Sequence, residues 1–272
     1  MARERGKRIK QIGSQAEYKS LHNWNRWLAV IHAVQGIAIA LIGIAYALPV
    51  TASYLTIDPI ATATVGHPVL TTATRQLFYV DLISLVVIFF FASAIAHGLS
   101  ATIYRRRYEL DLSRAMNKLR WFEYAVSASV MIVAIGLLSG VYDLTSLFML
   151  FMLVALMNLC GLAMEVYNQR NASPNWLVYW LGCLAGIVPW IVLIFYLFAT
   201  NFYGSGHIPG FVYGIYGSMF ICFNSFAVNM YLQYKKKGRW ANYLYGEKGY
   251  MILSLVAKTL LAWQVFFGVL RP

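Results

Sequence analysis

Residues 250–270 read YMILSLVAKTLLAWQVFFGVL, and Lys258, near the middle, is the one charge among them. The stretch is long enough to cross a hydrocarbon core ~30 Å thick. A bare ammonium at that depth costs at least ~2.5–3.5 kcal/mol on insertion scales, so an intramembrane lysine marks a functional site by default. Two things could hold it there: a carboxylate partner or a covalent ligand.

Working outward, six further apolar stretches of similar length precede this one. The seven are Trp24–Leu48, Leu77–Ile103, Lys118–Leu138, Leu144–Tyr167, Trp176–Thr200, Phe211–Tyr234 and Tyr245–Leu270. Of the 272 residues 60% are hydrophobic and 12% charged, against about 25% charged in a soluble domain. Seven such runs in a row exclude the buried helices of a soluble protein. The expected fold is therefore an all-α membrane protein, a single domain over 1–272. It has a basic N-terminal segment (1–23) and a long first connection after the first span (49–76). No small-residue cleavage site follows the basic N-terminus, so no cleavable signal peptide is expected.

Charge predicts the orientation. Nineteen of the 22 Lys and Arg lie before the first span, in the second-to-third, fourth-to-fifth and sixth-to-seventh connections, or at the span ends that adjoin them, as Arg26, Lys118, Arg120 and Lys248 do. Arg75 and Arg271 are on the other side, and Lys258 is within the membrane. The positive-inside rule then places the N-terminus in the cytoplasm and the C-terminus outside. The net charge of +12 reads as topology and as attraction to anionic membrane lipids. Because the cations are juxtamembrane, nucleic-acid binding is not expected. Cys160, Cys183 and Cys222 fall within spans and suggest no disulfide framework. There is no metal-ligand spacing, P-loop or nucleophile elbow. Asn171-Ala-Ser173 matches a glycosylation acceptor but falls on the cytoplasmic side.

Depth points to a partner for Lys258. With Ser113 as N-cap of the third span, Glu123 lies ten residues in, and Lys258 lies ten residues after Lys248. Both groups then sit ~15 Å deep. Asp81 and Glu165 are off-centre, near opposite faces. At ~4 Å and an effective dielectric of ~20 an ion pair gains ~4 kcal/mol before desolvation, which is the scale of the burial cost. A purely structural salt bridge is the alternative.

A seventh-span lysine opposite a third-span carboxylate resembles the microbial rhodopsins, and the detailed likeness is to the heliorhodopsins. Arg120-Trp121-Phe122-Glu123-Tyr124 is similar to their counterion motif. Ser254-Leu255-Val256-Ala257-Lys258 is similar to their retinal-lysine motif. Phe223-Asn224-Ser225-Phe226-Ala227 with Leu232-Gln233-Tyr234 resembles their sixth helix. The cytoplasmic N-terminus, which rests on charge alone, also matches this inverted family. The resemblance implies a seven-helix rhodopsin-like bundle. In it all-trans retinal is bound to Lys258 as a protonated Schiff base with Glu123 as counterion. A buried cation of that kind keeps its proton when an anion is near.

Ser254 and Ser127 each lie one turn from a member of the pair and are candidate hydrogen-bond partners; a small residue at a close helix contact is the alternative. The polyene needs an apolar, aromatic slot, for which Trp121, Trp190, Phe220, Phe223 and Trp263 are candidates. His32 and His97 fall at similar depth beside Glu123. The resemblance implies that they form the cluster that takes up and holds the proton released near Lys258. Tyr124 points about 100° away from Glu123 and is given no role.

The functional expectation is a light sensor with the proton retained, not an enzyme. Eleven residues beyond Glu123 stands Ala134, where pumps of the superfamily carry a donor carboxylate. A light-gated or light-driven proton or ion transporter is the alternative. The Thr- and Val-rich 49–76 segment, with Gly66 between two β-prone runs, predicts an extracellular β-hairpin. A bare hairpin is marginal alone, so it should pack on a neighbour, and the resemblance implies a homodimer interface there. The basic connections are the expected output surface toward a separate cytoplasmic signalling protein.

Overall fold

Every predicted span is a helix in the computed structural model, which describes residues 12–169, 171, 173–204 and 208–271. Arg3, Arg5, Lys7, Arg8, Lys10 and Arg170, all used in the charge count, lie outside the described residues. The spans are α1 (Gln15–Ile42), α3 (Leu82–Ala101), α5 (Lys118–Leu138), α6 (Leu144–Asn168), α7 (Leu177–Tyr203), α8 (Gly210–Tyr234) and α9 (Tyr243–Val265). A π-helical turn at Phe266–Leu270 extends α9. All seven are long and apolar enough to cross a membrane. The helices form a closed ring in the order α1–α3–α5–α6–α7–α8–α9, with α9 packing back on α1. α7 and α8 meet through aromatic side chains, including Trp190 against Phe220 and Phe223.

The boundaries differ from the sequence reading where polar caps override hydropathy. α1 starts at Gln15, not Trp24, because Ser14 and Glu17 form a reciprocal capping box, which satisfies donors that the first turn leaves open. It ends at Ile42, so Leu48 belongs to a strand. That strand, β1 (Ala47–Ile57), pairs antiparallel with β2 (Leu70–Asp81). The hairpin is therefore present, but wider than 49–76, and residues 77–80, read as the start of the second span, are strand. The Asp81 carboxylate fixes that junction by accepting from the amides of Tyr46 (2.9 Å) and Ile83 (3.4 Å). Gly66 is not a hairpin turn. It caps a short helix, α2 (Pro59–Val65), in the left-handed conformation (φ +75°) that glycine adopts without strain. The hairpin docks as expected: Thr51 N–H donates to the Tyr142 carbonyl at 2.8 Å.

At the opposite end the basic second-to-third connection holds a helix, α4 (Arg105–Leu112). Ser113 closes α4 and does not cap the third span; that cap is Asn117, whose side chain accepts from Arg120 N–H. Asp111 of α4 is 1% exposed, neither carboxylate oxygen has a hydrogen-bond partner among the described residues, and Arg107 Nε stands 3.9 Å from Oδ1. Burial pushes this carboxyl up, against the opposing pull of Lys118, Arg107 and Arg114. The folded state then binds the proton more tightly than the unfolded chain does. Stability therefore falls as pH rises from the unfolded value through the folded one, and the penalty is complete above it. Asp111→Asn is expected to raise the melting temperature by ~2 °C or more at pH 7, with the difference closing near pH 3. Thermal unfolding of both forms across pH checks this.

The largest core cluster occupies the hairpin half of the bundle and includes Val130, Met131, Ile132, Ile135, Leu137, Leu261 and Val265. The polar interior lies in the other half, toward α4.

Candidate functional site

α5 and α9 bring the expected pair together. Lys258 Nζ lies 3.2 Å from Glu123 Oε1, with the two residues 3% and 8% exposed. Lys258 Nζ also donates to Ser254 Oγ at 2.8 Å, one turn earlier on α9. The equal-depth expectation holds, although both starting points for it were wrong. Glu123 is the sixth residue of α5 and Lys258 the sixteenth of α9, an offset of ~15 Å along the helices. α5 starts that much deeper because its cap, Asn117, is itself buried and gives its backbone N–H to Glu165 Oε2 at 2.9 Å.

Two neighbours of the pair escaped the sequence reading. Ser93 on α3 donates to Glu123 Oε1 at 2.6 Å. Tyr124, given no role from sequence, holds its ring 5.2 Å from Lys258 Nζ and anchors its hydroxyl on the Tyr250 carbonyl at 2.9 Å. Adjacent helical residues diverge in direction, but Tyr124 turns toward α9, which carries the lysine. Ser127 is fully buried and its hydroxyl has no partner among the described residues.

His32 and His97 stack with ring centroids 5.7 Å apart and planes 9° from parallel. His97 Nδ1 is 2.8 Å from Asn25 Oδ1, and Asn25 Nδ2 donates to the Tyr108 hydroxyl at 3.2 Å. Both His32 nitrogens are buried with no hydrogen-bond partner among the described residues. A polar chain thus runs from the histidines to Tyr108 on α4.

The largest feature missed from sequence is a buried charge network. Arg120, read as a topology-setting cation at a helix start, is 6% exposed. It donates through Nη2 to Glu165 Oε1 at 2.6 Å and through Nη1 to Glu247 Oε2. Its guanidinium lies between the rings of Tyr250 (3.8 Å) and Trp121 (4.5 Å). Glu247 also accepts from Asn117 Nδ2 at 2.6 Å, and Glu165 from Trp121 Nε1 at 2.7 Å. Three facing polar side chains on α5, α6 and α9 were the signal. Each sat near a span end, where charge is unremarkable.

Lys258 opens into a cavity of about 380 Å³, counting the open space at its mouth, with Tyr124, Met131, Asn158, Phe223 and Phe226 in its walls. Met157, Asn158, Phe223 and Phe226 are shared with a second cavity of about 730 Å³, counting its lateral mouth, that reaches Trp121, Gly186 and Trp190. The two form an aromatic slot with a lysine at one end. Gly186 keeps it open, since a Cβ there would meet Met157 Sδ at 2.5 Å. Of the candidate aromatics, Phe223 lines both cavities and Trp121 and Trp190 line the second. Phe220 supports Trp190 from behind and faces a different groove. Trp263 lines neither cavity. It lies five residues past Lys258, well round the helix, and donates to Gln35 of α1 at 3.3 Å.

A ring of seven membrane-spanning helices around a buried lysine–carboxylate pair defines a rhodopsin-like membrane protein. The chain belongs to the heliorhodopsin family, whose pattern matches residues 21–270. A solved structure with the same fold is the crystal structure of a light-driven proton pump from Leptosphaeria maculans. It has a TM-score of 0.60 and 13% sequence identity, covering 94% of this chain and 96% of the pump. At that identity the likeness shows the fold alone. No curated protein matches the chain. Family and fold imply a retinal chromophore, and an apolar aromatic slot ending on a buried amine fits that group.

Proposed function

We propose that the protein is a light-sensing receptor, not an enzyme, that keeps its mobile proton inside and moves no ion across the membrane. All-trans retinal would be held through Lys258 Nζ, with Phe223, Trp190 and Trp121 walling the slot. When bound, retinal supplies a light-driven change of shape at the lysine nitrogen. The chain's own residues do the rest. Glu123 balances the positive charge, Ser93 orients the carboxylate, and Ser254 accepts from the nitrogen. His32, whose two nitrogens have no partner among the described residues, and His97 beside it supply a place for a displaced proton. The His97–Asn25–Tyr108 chain offers a route by which a charge there is felt at α4.

One observation carries the reading. Among the described residues, no Asp, Glu, His, Lys or Arg lies within the spans on the hairpin side of Lys258, where the apolar cluster around Val130, Ile132 and Leu261 fills the interior. A proton can be received on the α4 side, whereas the described residues of the other half offer it no carboxylate or imidazole. The likeness to a proton pump keeps transport as the second reading.

The charge asymmetry supports placing the basic α4 end in the cytoplasm. There Arg106 and Arg114 of the second-to-third connection are exposed and suited to a separate acidic partner protein. Pairing with a second copy through the hairpin is supported by the exposed Leu55, Ile57, Leu70 and Tyr79. The test is the pH of an illuminated suspension of retinal-loaded vesicles. No sustained, protonophore-sensitive pH change is expected. A sustained change abolished by protonophore would establish transport instead.

A further inference from the structure

A second site lies outside the chromophore slot, on the membrane-facing side of α8 and α9. Phe220, Ile221, Asn224, Val228 and Leu232 form one ridge of α8, and Ile252 of α9 faces them across an open groove. The ridge from Phe220 to Leu232 is ~18 Å long at 1.5 Å per residue. That is close to the ~15 Å hydrocarbon thickness of one leaflet. The polar groups in the walls do not make the groove polar. Asn224 Nδ2 and Ser225 Oγ donate to carbonyls one turn back on α8, at 2.8 and 2.7 Å, which lets them sit in hydrocarbon. Ile221, Val228 and Ile252 stay 67%, 54% and 40% exposed.

The groove ends at the sixth-to-seventh connection under Trp240. The Trp240 indole N–H donates to Asn229 Oδ1 at 2.8 Å, and its ring packs edge-on against Tyr245. Tryptophan in that position marks the headgroup level. In the turn of chain that leads to Trp240 stand Lys236, Lys237 and Arg239, all exposed and none in a salt bridge among the described residues, with the Arg239 guanidinium over the Tyr245 ring at 4.7 Å. Lys235, by contrast, is turned to the other side of α8, over Trp176.

We infer that this groove binds one anionic phospholipid, with an acyl chain along the α8–α9 ridge and the headgroup on Lys236, Lys237 and Arg239. The observations that favour it are the match of groove length to one leaflet and the cationic mouth at its end. An uncharged occupant would leave that mouth unmatched, and an acidic protein would not fill a hydrocarbon-depth groove. Bound there, the lipid touches α9 within five residues of Ser254, at Gly249, Ile252 and Leu253.

The test is native mass spectrometry of the full chain released from vesicles of equal phosphatidylglycerol and phosphatidylcholine. The wild type should retain one phosphatidylglycerol with a preference of roughly fivefold or more, the discrimination a single juxtamembrane cation gives. Val228→Trp, which fills the groove, should lose retention of both lipids. A triple variant, Lys236→Asn, Lys237→Gln and Arg239→Gln, should keep a lipid and lose the preference. Asn is chosen at 236 because Lys236 sits at φ +50°, which Asn tolerates. Equal retention of the two lipids by the wild type would overturn the headgroup assignment. An unchanged preference in Val228→Trp would overturn the groove as the site, and the triple variant, confined to the surface, keeps the test valid if the bulky one fails to fold.

Discussion

Arg120→Leu is expected to cost ~3–5 kcal/mol or more, because removing one partner of a buried ion pair leaves the other charge uncompensated. Here two carboxylates are stranded, Glu165 and Glu247, each already shielded from water. Arg120→Lys should rescue little. The arginine bridges two acids from different helices while its planar face is clasped by Tyr250 and Trp121, and an ammonium does neither. The triple change Arg120→Met, Glu165→Gln, Glu247→Gln should recover most of the loss, since a buried charged network is replaceable by neutral groups that pack. Thermal unfolding in detergent measures all three. A loss below ~1 kcal/mol for Arg120→Leu, the scale of an exposed pair, would show that the network is solvated.

The second large effect is at the chromophore. Glu123→Gln removes the anion 3.2 Å from Lys258 Nζ and leaves Ser93 and Ser254 in place. Loss of a buried partner on the ~3–5 kcal/mol scale should shift the ratio of charged to neutral lysine-linked retinal by ~100-fold or more toward neutral. The visible band at pH 7 is expected to shrink in favour of near-ultraviolet absorption and to return on acidification. Ser93→Ala should act in the same direction but weakly, since one hydrogen bond to a charged group contributes ~1.5–3 kcal/mol. A Glu123→Gln band that is undiminished and independent of pH would mean that the counterion lies elsewhere.

These expectations rest unequally on what the sequence makes legible. Seven spans follow from apolar length alone, and α5 is found at its predicted bounds. The Lys258–Glu123 pair is legible because a charge deep in an apolar run is conspicuous and only one carboxylate falls at its level. Caps were not legible. Ser113 resembles an N-cap as well as Asn117 does, and Asn117 was preferred because Glu165 meets its backbone, a contact between helices distant in sequence. For the same reason Arg120 was read only as a topology-setting cation at a helix start. Ser93 was hidden because a lone serine in a span is ordinary. Trp263 was placed in the slot on residue type, whereas five residues of helical rotation carry it to α1. Gly66 was read as a turn because a β-prone run stands on each side, but Asp58, accepting from the amides of Ile60 and Ala61 at 2.9 and 3.0 Å, starts a helix between them.

The central claim, a retinal pigment built on Lys258, is tested most directly by the visible absorption spectrum of membranes given all-trans retinal, for the wild type and Lys258→Ala. A visible band is expected in the wild type and none in the variant. A folded wild type with no band, or a band that survives Lys258→Ala, would contradict it.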